Sequence, residues 1–514
     1  MAQAIDSASA SPPPEGLDRE TLIVAGVVML GAIMTFLDTT AVNVALDHLA
    51  VAFRASLTTI QWVVTGYTLA LAAVIPVTGW AADRFGTKRI YLTSLVLFTA
   101  GSVASGLSWS AESMIAFRVL QGLGGGMIMP AVMTIMTKKA GPHRMGRMMG
   151  VLGVPMLLAP ILGPILGGWL IDNASWRWIF FINVPVGVIA FVLAQIVLDR
   201  DVSQPGHRFD WLGMVLLSPG LAIFIFGLAE SSSHGFGSLR SWGPTAGGLL
   251  LIATFLVHSW RAETPLIDIR LFVHTRAGGA GITFLLFAIT VFGSMLLIPL
   301  YFQSVRGASP LTAGLLMAPG GVSSMLTMPI AGRLADRYGP SWMPAVGIPF
   351  VIVGLLPFAF VGAHTSYLLL CSFNFIQGLG MGLTIMPMMT AALQAVPAPA
   401  IARTSTAMSI VRQAGASVGT AVLSVLLASA IASNLDAVVG HRYSSSGGLA
   451  ALQHLPTARH AEISAQLAHA FATTFVWALV FITIAMIPAL AMALVRRGRA
   501  PVAAAGSSAP LVFE

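Results

Sequence analysis

Two charged residues sit where charge is costly. Asp38 lies inside the apolar run LIVAGVVMLGAIMTFLDTTAVNVAL at 22–46, and Arg118 lies inside another, at 113–137. A bilayer crossing needs about 20 apolar residues, so both runs are long enough to span. Insertion scales set the cost of one such charge at about 2.5–3.5 kcal/mol, so an intramembrane charge reads first as functional. Asp38 is followed by Thr39, Thr40 and Asn43, a polar run suited to a water-lined cavity, and no other span interior holds an Asp or Glu. The chemistry open to such a carboxylate is reversible protonation. Arg118 in a low dielectric needs a partner or a cavity. Arg412 is a third buried cation, on the polar face of a late span.

The elements that must hold these residues are membrane helices. The chain has 514 residues, 56% of them hydrophobic and 9% charged, against roughly 25% charged in soluble domains. Hydropathy places fourteen spans near 22–46, 57–82, 90–108, 113–137, 146–171, 178–198, 211–229, 243–260, 278–302, 311–335, 342–362, 366–394, 404–431 and 470–495. Alternating strand-length segments are absent, which excludes an outer-membrane barrel. The net charge of +8 marks loop placement rather than nucleic-acid binding. Lys138, Lys139, Arg144 and Arg147 stand in one even-numbered link and Arg84, Lys88 and Arg89 in another, whereas odd links hold far fewer basic residues. Both termini are thereby expected in the cytoplasm, in a multi-pass protein of the cytoplasmic (inner) membrane. The single cysteine, Cys371, excludes an intrachain disulfide.

The chain repeats itself. GWAADRFG at 79–86 returns as GRLADRYG at 332–339, and QGLGGG at 121–126 as QGLGMG at 377–382. Duplicated halves are common in secondary transporters. The expected architecture is all-α: a tail at 1–21, a six-helix bundle at 22–198, a linker with two inserted helices at 199–277, a second six-helix bundle at 278–495 and a tail at 496–514. The loop at 432–469 is expected outside, with a surface helix in ARHAEISAQLAHAF. Gly79 and Gly332 permit close helix approach, and Gly86 and Gly339 permit the turns. Asp83 and Asp336, with Arg84 and Arg337, form a charged gate, the first copy being the stronger latch. Gly163, Pro164, Gly167 and Gly168 lie in a glycine- and proline-rich fifth span. The run at 122–126 is no nucleotide loop, since no Gly-Lys-Ser/Thr follows. No histidines stand at metal-ligand spacing within a span, and no nucleophile–base set stands out. The expected protein is therefore a transporter without cofactor or metal, driven by an ion gradient.

These motifs resemble the major facilitator superfamily, and in combination its fourteen-span drug:proton antiporter branch. GWAADRFGTKR is similar to the hallmark loop motif, RVLQGLGGG at 118–126 to the fourth-span motif and LGPILGGWL at 162–170 to the antiporter motif. LDTTAVNVAL at 37–46, WRWIFFINVPVG at 176–187 and RQAGASVGTA at 412–421 are typical of that branch. Departures are Asp47 where proline is usual, Ala159 for a glycine, and Asn374 where the repeat would carry Arg118's counterpart. The resemblance implies two six-helix bundles plus a two-helix insert, with spans one and four lining a cavity where Asp38 meets Arg118. It implies that Asp38 carries the proton, that Arg118 sets how tightly it is held, and that the fifth span seals against the other half in exporters.

Substrates are expected to be small amphipathic or cationic compounds exchanged for protons, with membrane lipid around the protein and no nucleic acid; a periplasmic adaptor is left unspecified. The expected cavity residues are Met34, Thr39, Asn43, Trp62, Gln121, Met129, Gln377 and Arg412, since methionine and aromatic surfaces suit promiscuous and cationic ligands. Alternatives are a dedicated exporter of one metabolite, lipid or antibiotic, and a non-transporting receptor or scaffold. Duplicated gates argue against the last.

Overall fold

A computed structural model describes residues 18–141, 144–199, 209–234, 237–274, 276–439 and 460–495. In lipid every backbone N–H and C=O must be paired within the segment, which favours helices wherever an apolar run is long enough. The first half comprises α1 (Arg19–Phe53), α2 (Leu57–Phe85), α3 (Thr87–Gly106), α4 (Ala111–Ala140), α5 (Met145–Asn173), the short α6 (Trp178–Phe181) and α7 (Asn183–Val197). The insert is α8 (Trp211–His234) and α9 (Leu239–Arg261). After the short α10 (Arg270–His274), the second half holds α11 (Arg276–Ser304), α12 (Pro310–Tyr338), α13 (Met343–Leu355) with a 3₁₀ extension to Phe360, α14 (Tyr367–Gln394), α15 (Ile401–Val439) and α16 (His460–Val495). Among the described residues, 11 helices are long and apolar enough to cross a membrane. The remaining spans expected from hydropathy fall on α3, α5 and α9.

Local signals end these helices. Ser56 accepts a hydrogen bond from the Thr59 N–H, and Ser110 and Ser113 form a reciprocal capping box. Gly86 and Gly339 close the corresponding ends of α2 and α12 at φ of 92° and 84°, a backbone region that favours glycine. Two expectations change. Helix α1 starts at Arg19, so the tail is shorter than expected at its inner edge; residues 1–17 lie outside the described residues. The segment expected as a separate surface helix is, from His460 on, the start of α16. That run continues helically into the last span, leaving no break at which a surface helix could turn. Residues 440–459 and the tail at 496–514 lie outside the described residues.

The glycine runs explain how each bundle is built. Helix association in lipid is driven by close packing, so small residues mark contact faces. A side chain at Gly122 or Gly126 would strike α2, at the Tyr67 and Leu71 carbonyls, and one at Gly124 would strike α3 at Phe98. The second half repeats this: Gly378 and Gly382 face α12, and Gly380 faces α13. The alternating glycines thus wedge α4 between α2 and α3, and α14 between α12 and α13. Inserted helix α8 packs against both α2 and α15, and α9 packs on α8.

Candidate functional site

Helix α1 carries Asp38 and α4 carries Arg118 to the same buried point. Arg118 Nη1 donates to Asp38 Oδ2 at 2.6 Å, and each side chain is at most 1% exposed. The other carboxylate oxygen, Oδ1, accepts from Gln121 Nε2 at 2.8 Å and from Asn183 Nδ2 at 3.1 Å. Asn183 also donates to Ser102 Oγ, which in turn donates to the Phe180 carbonyl. Arg118 is held further by Gln121 Oε1 at 2.7 Å and the Val63 carbonyl at 3.3 Å, and lies 4.2 Å from the Tyr67 ring centroid. A buried pair is tolerable only with such geometry and extra hydrogen bonds, and removing one partner typically costs about 3–5 kcal/mol. If the carboxylate is neutralised, the guanidinium still has an amide oxygen, a carbonyl and a ring face. The arrangement can therefore accept a proton without stranding a bare cation.

Between the halves lies a cavity of about 310 Å³. Thr35, Thr39 and Tyr67 line it from the first half, and Phe284, Phe287 and Arg412 from the second. Tyr67 both faces this space and covers Arg118, so the ion pair sits one side chain behind the cavity wall. A second cavity of about 110 Å³ lies within the second half, lined by Asn374, Gln377 and Ser324.

The expected cavity residues divide. Thr39, Met129 and Arg412 line the central cavity, and Gln377 lines the second. Gln121 belongs to the ion cluster, and Met34 is buried in apolar packing. Trp62 is not a cavity residue: it is 39% exposed and stacks on Phe226 of α8, 5.7 Å between centroids. Asn43 is exposed and also outside the cavity lining. Trp62 points off the α2 face that carries Tyr67 and Thr68, whereas Asn43 shares the α1 face of Thr35 and Thr39 but lies a turn further along the helix, past the last α1 lining residue, Thr40.

The repeated loop motif joins the halves. Asp83 Oδ2 accepts from Arg403 Nε of α15 at 3.2 Å. Asp336 caps α5, accepting from the Gly146 and Arg147 N–H groups at 2.7 and 3.0 Å, with Arg147 Nε at 3.7 Å. Gly79 lies against Arg403 and Thr406, and Gly332 lies against the Gly146 backbone. Arg84 and Arg337 are exposed, with Arg337 5.2 Å from the Tyr338 ring.

Helix α5 does seal against α12, but through Gly146, Gly150 and Gly153, which meet Met328 and Gly332. The motif glycines expected to do this lie about three to four turns past Gly153: Gly163 and Gly167 pack on Thr40 and Ala41 of α1, within their own half, and a side chain added at Gly168 would meet none of the described residues. The Pro164 side chain lies outside the described residues.

Sequence reasoning missed Asn183, although an amide inside the apolar run WIFFINVPVG is a signal of the same kind as Asp38. A carboxylate such as Asp83 in this loop motif is suited to cap a neighbouring helix N-terminus; the structure gives that role to Asp336, at α5, and pairs Asp83 with Arg403, and nothing local in the sequence joins positions 190 and 320 residues from Asp336 and Asp83.

Residues 28–420 match the family model described as Major Facilitator Superfamily. The chain is similar to the "Multidrug resistance protein B homolog" of Mycobacterium tuberculosis, 44% identical over 489 residues, covering 93% of this chain and 91% of that protein. It is 30% identical over 426 residues to the "Tetracenomycin C resistance and export protein" of Streptomyces glaucescens, covering 83% and 79%. Among solved structures, a bacterial homologue of the human lysosomal transporter Spinster superposes with a TM-score of 0.58 at 16% identity, covering 95% of this chain and 100% of that one. With two glycine-wedged bundles, a repeated latch motif at their junction and a cavity between them, the chain belongs to the Major Facilitator Superfamily and is a transporter rather than an enzyme.

Proposed function

We propose that this chain is a fourteen-span, proton-coupled exporter of amphipathic compounds from the cytoplasm, working as an antiporter in the inner membrane with both termini inside. The observation that carries this reading is the buried Asp38–Arg118 pair, one side chain behind the cavity, with other partners waiting for Arg118. A proton arriving from outside neutralises Asp38. Arg118 then rests on Gln121, the Val63 carbonyl and Tyr67. Release of the proton on the inner side restores the pair. Because Tyr67 faces both the cluster and the cavity, occupation of the cavity and of Asp38 bias the same side chain. Coupling needs no more than such a shared element with two arrangements.

The direction is supported by the export and resistance functions in the relatives' names. The basic links lie at the latched end, which the positive-inside rule assigns to the cytoplasm. The arrangement is then one shut towards the cytoplasm. A second reading, export of one particular metabolite, is favoured by the similarity to the tetracenomycin protein. Growth of a deletion strain with a panel of dyes and antibiotics separates broad from single-compound export.

The coupling test is substrate-induced proton release in inverted vesicles. Asp38→Asn is expected to abolish it while the protein still inserts. Exchange at the wild-type rate in that variant would remove Asp38 from the mechanism.

A further inference from the structure

The central cavity holds one charged side chain among its lining residues, Arg412 of α15. Among the described residues, no Asp, Glu, Lys or His lines it. Asp38, the nearest thing to a counter-ion in the first-half sequence, is committed to Arg118 behind Tyr67. Arg412 is half-buried, and among the described residues it makes no hydrogen bond, ion pair or ring contact. This differs from Arg118, Arg403, Arg306 and Arg147, each of which is held by a carboxylate or a carbonyl. A guanidinium without a partner in such a chamber is costly and exerts a long-range field, because the walls are largely apolar. The same cavity is lined by the neutral hydrogen-bonding residues Gln413, Ser409, Thr39 and Thr68 and by Phe284 and Phe287.

We propose that Arg412 is the recognition site for the acidic group of an anionic amphiphile, a carboxylate, sulfonate or phenolate whose apolar body lies against Phe284 and Phe287. The inference rests on the reading of the cavity as a transport site and names its substrate class. It turns the expectation of cationic substrates around: aromatic walls attract cations weakly at a distance, whereas an unpaired guanidinium repels them and can pair with a carboxylate through two parallel hydrogen bonds. The anion supplies in the loaded state the charge that the protein itself does not provide. Arg412 also stands in the half opposite the ion cluster, so an acid bound there joins the two halves across the cavity.

The test uses three ligands with one ring system and three charges: 2-naphthoate, 2-naphthamide and 2-naphthylmethylammonium. Binding is measured on the purified full chain in nanodiscs of zwitterionic phosphatidylcholine. The wild type is expected to bind naphthoate at least about tenfold more tightly than the amide, and the ammonium most weakly, the tenfold step being that of one modest charged contact. Arg412→Met should erase the ranking and Arg412→Lys should keep its order. Gln413→Glu leaves the arginine in place but supplies a carboxylate in the same cavity, so it should also erase the preference, which keeps the test decisive if Arg412→Met does not fold. Equal binding of the three ligands by the wild type, binding of none, or a naphthoate preference that survives Arg412→Met or Gln413→Glu would overturn the assignment. Proton release in vesicles is a separate readout. Charge ranking without substrate-driven proton release sinks the export reading and leaves the site; coupled export without charge ranking does the reverse.

Discussion

The two halves share a scaffold and differ at its centre. In the first, Arg118 and Gln121 of α4 meet Asp38 and fill the space with charge-assisted hydrogen bonds. In the second, Asn374 and Gln377 of α14 occupy the matching positions and border a cavity of about 110 Å³ instead. The glycines on either side wedge each helix in the same way. Duplication therefore preserved the backbone contacts that let helices touch, and released the polar positions between them. One centre is charged, buried and crowded; the other is neutral and borders a cavity.

The sharpest way to break the comparison is to unbalance the charged centre. Arg118→Met leaves Asp38 buried without its cation and is expected to cost about 3–5 kcal/mol, read as a fall in thermal unfolding temperature. The double variant Asp38→Asn, Arg118→Met removes both charges and should recover much of that loss. At the hollow centre, Asn374→Met should be tolerated with little change in unfolding temperature. A collapse equal to that of Arg118→Met would mean that the second centre is as tightly specified as the first.

The next contrast is between the two close approaches at the junction. A methyl at Gly332 meets the Gly146 backbone, which cannot rotate away, whereas one at Gly79 first meets the Thr406 hydroxyl, 2.8 Å from the added carbon and free to turn. Gly332→Ala should therefore loosen the closed end more than Gly79→Ala. Accessibility of single cysteines near the junction to a thiol reagent measures this.

The smallest expected effect concerns the carboxylates themselves. Asp336 caps a helix N-terminus with two backbone bonds, an interaction worth about 0.5–2 kcal/mol. Asp83 accepts from Arg403 across the junction at 3.2 Å, whereas Asp336 adds two backbone N–H groups to its arginine. Asp336→Ala should accordingly impair export more than Asp83→Ala, the reverse of the order expected from the motif alone. Equal export by the Asp336→Ala variant and the wild type would remove the cap from the gate.

Asp38 and Arg118 were legible because charge in an apolar run has few explanations. The repeat was legible from identity of short motifs, whereas the packing role of the glycines at 122–126 shows only in the fold, where they meet α2 and α3. Trp62 was misplaced because a span of uniform hydropathy gives little rotational phase; only α8, sitting beside it, shows which way that face points. Gly163 and Gly167 were misassigned for a related reason, since a small residue announces a contact but not its partner. The latch partners of Asp83 and Asp336 could not be located in the sequence, because each lies in the opposite half and is brought near only by the fold. Asn183 was readable and was passed over: its amide costs less than a charge, yet it occupies the remaining space on Asp38.

The insert makes the two seams between the halves mechanically unlike. Along α5 and α12 the chains touch backbone to backbone at Gly146, Gly150 and Gly332. Along α2 and α15 the backbones meet at the latched end, where Gly79 lies against Arg403; further along, α8 packs on both helices and a void of about 300 Å³ bounded by Thr65, Thr68, Ile225 and Ser417 lies between them. Rocking the halves would shear rigid surfaces on one edge and merely resize an opening on the other. If the halves rock in this way, the first edge would act as the spine of a book and the second as its fore-edge, with α8 standing across it. Spin-label pairs across α2 and α15 should then report broader distance distributions than pairs across α5 and α12, and equal breadths would mean that the book has no spine.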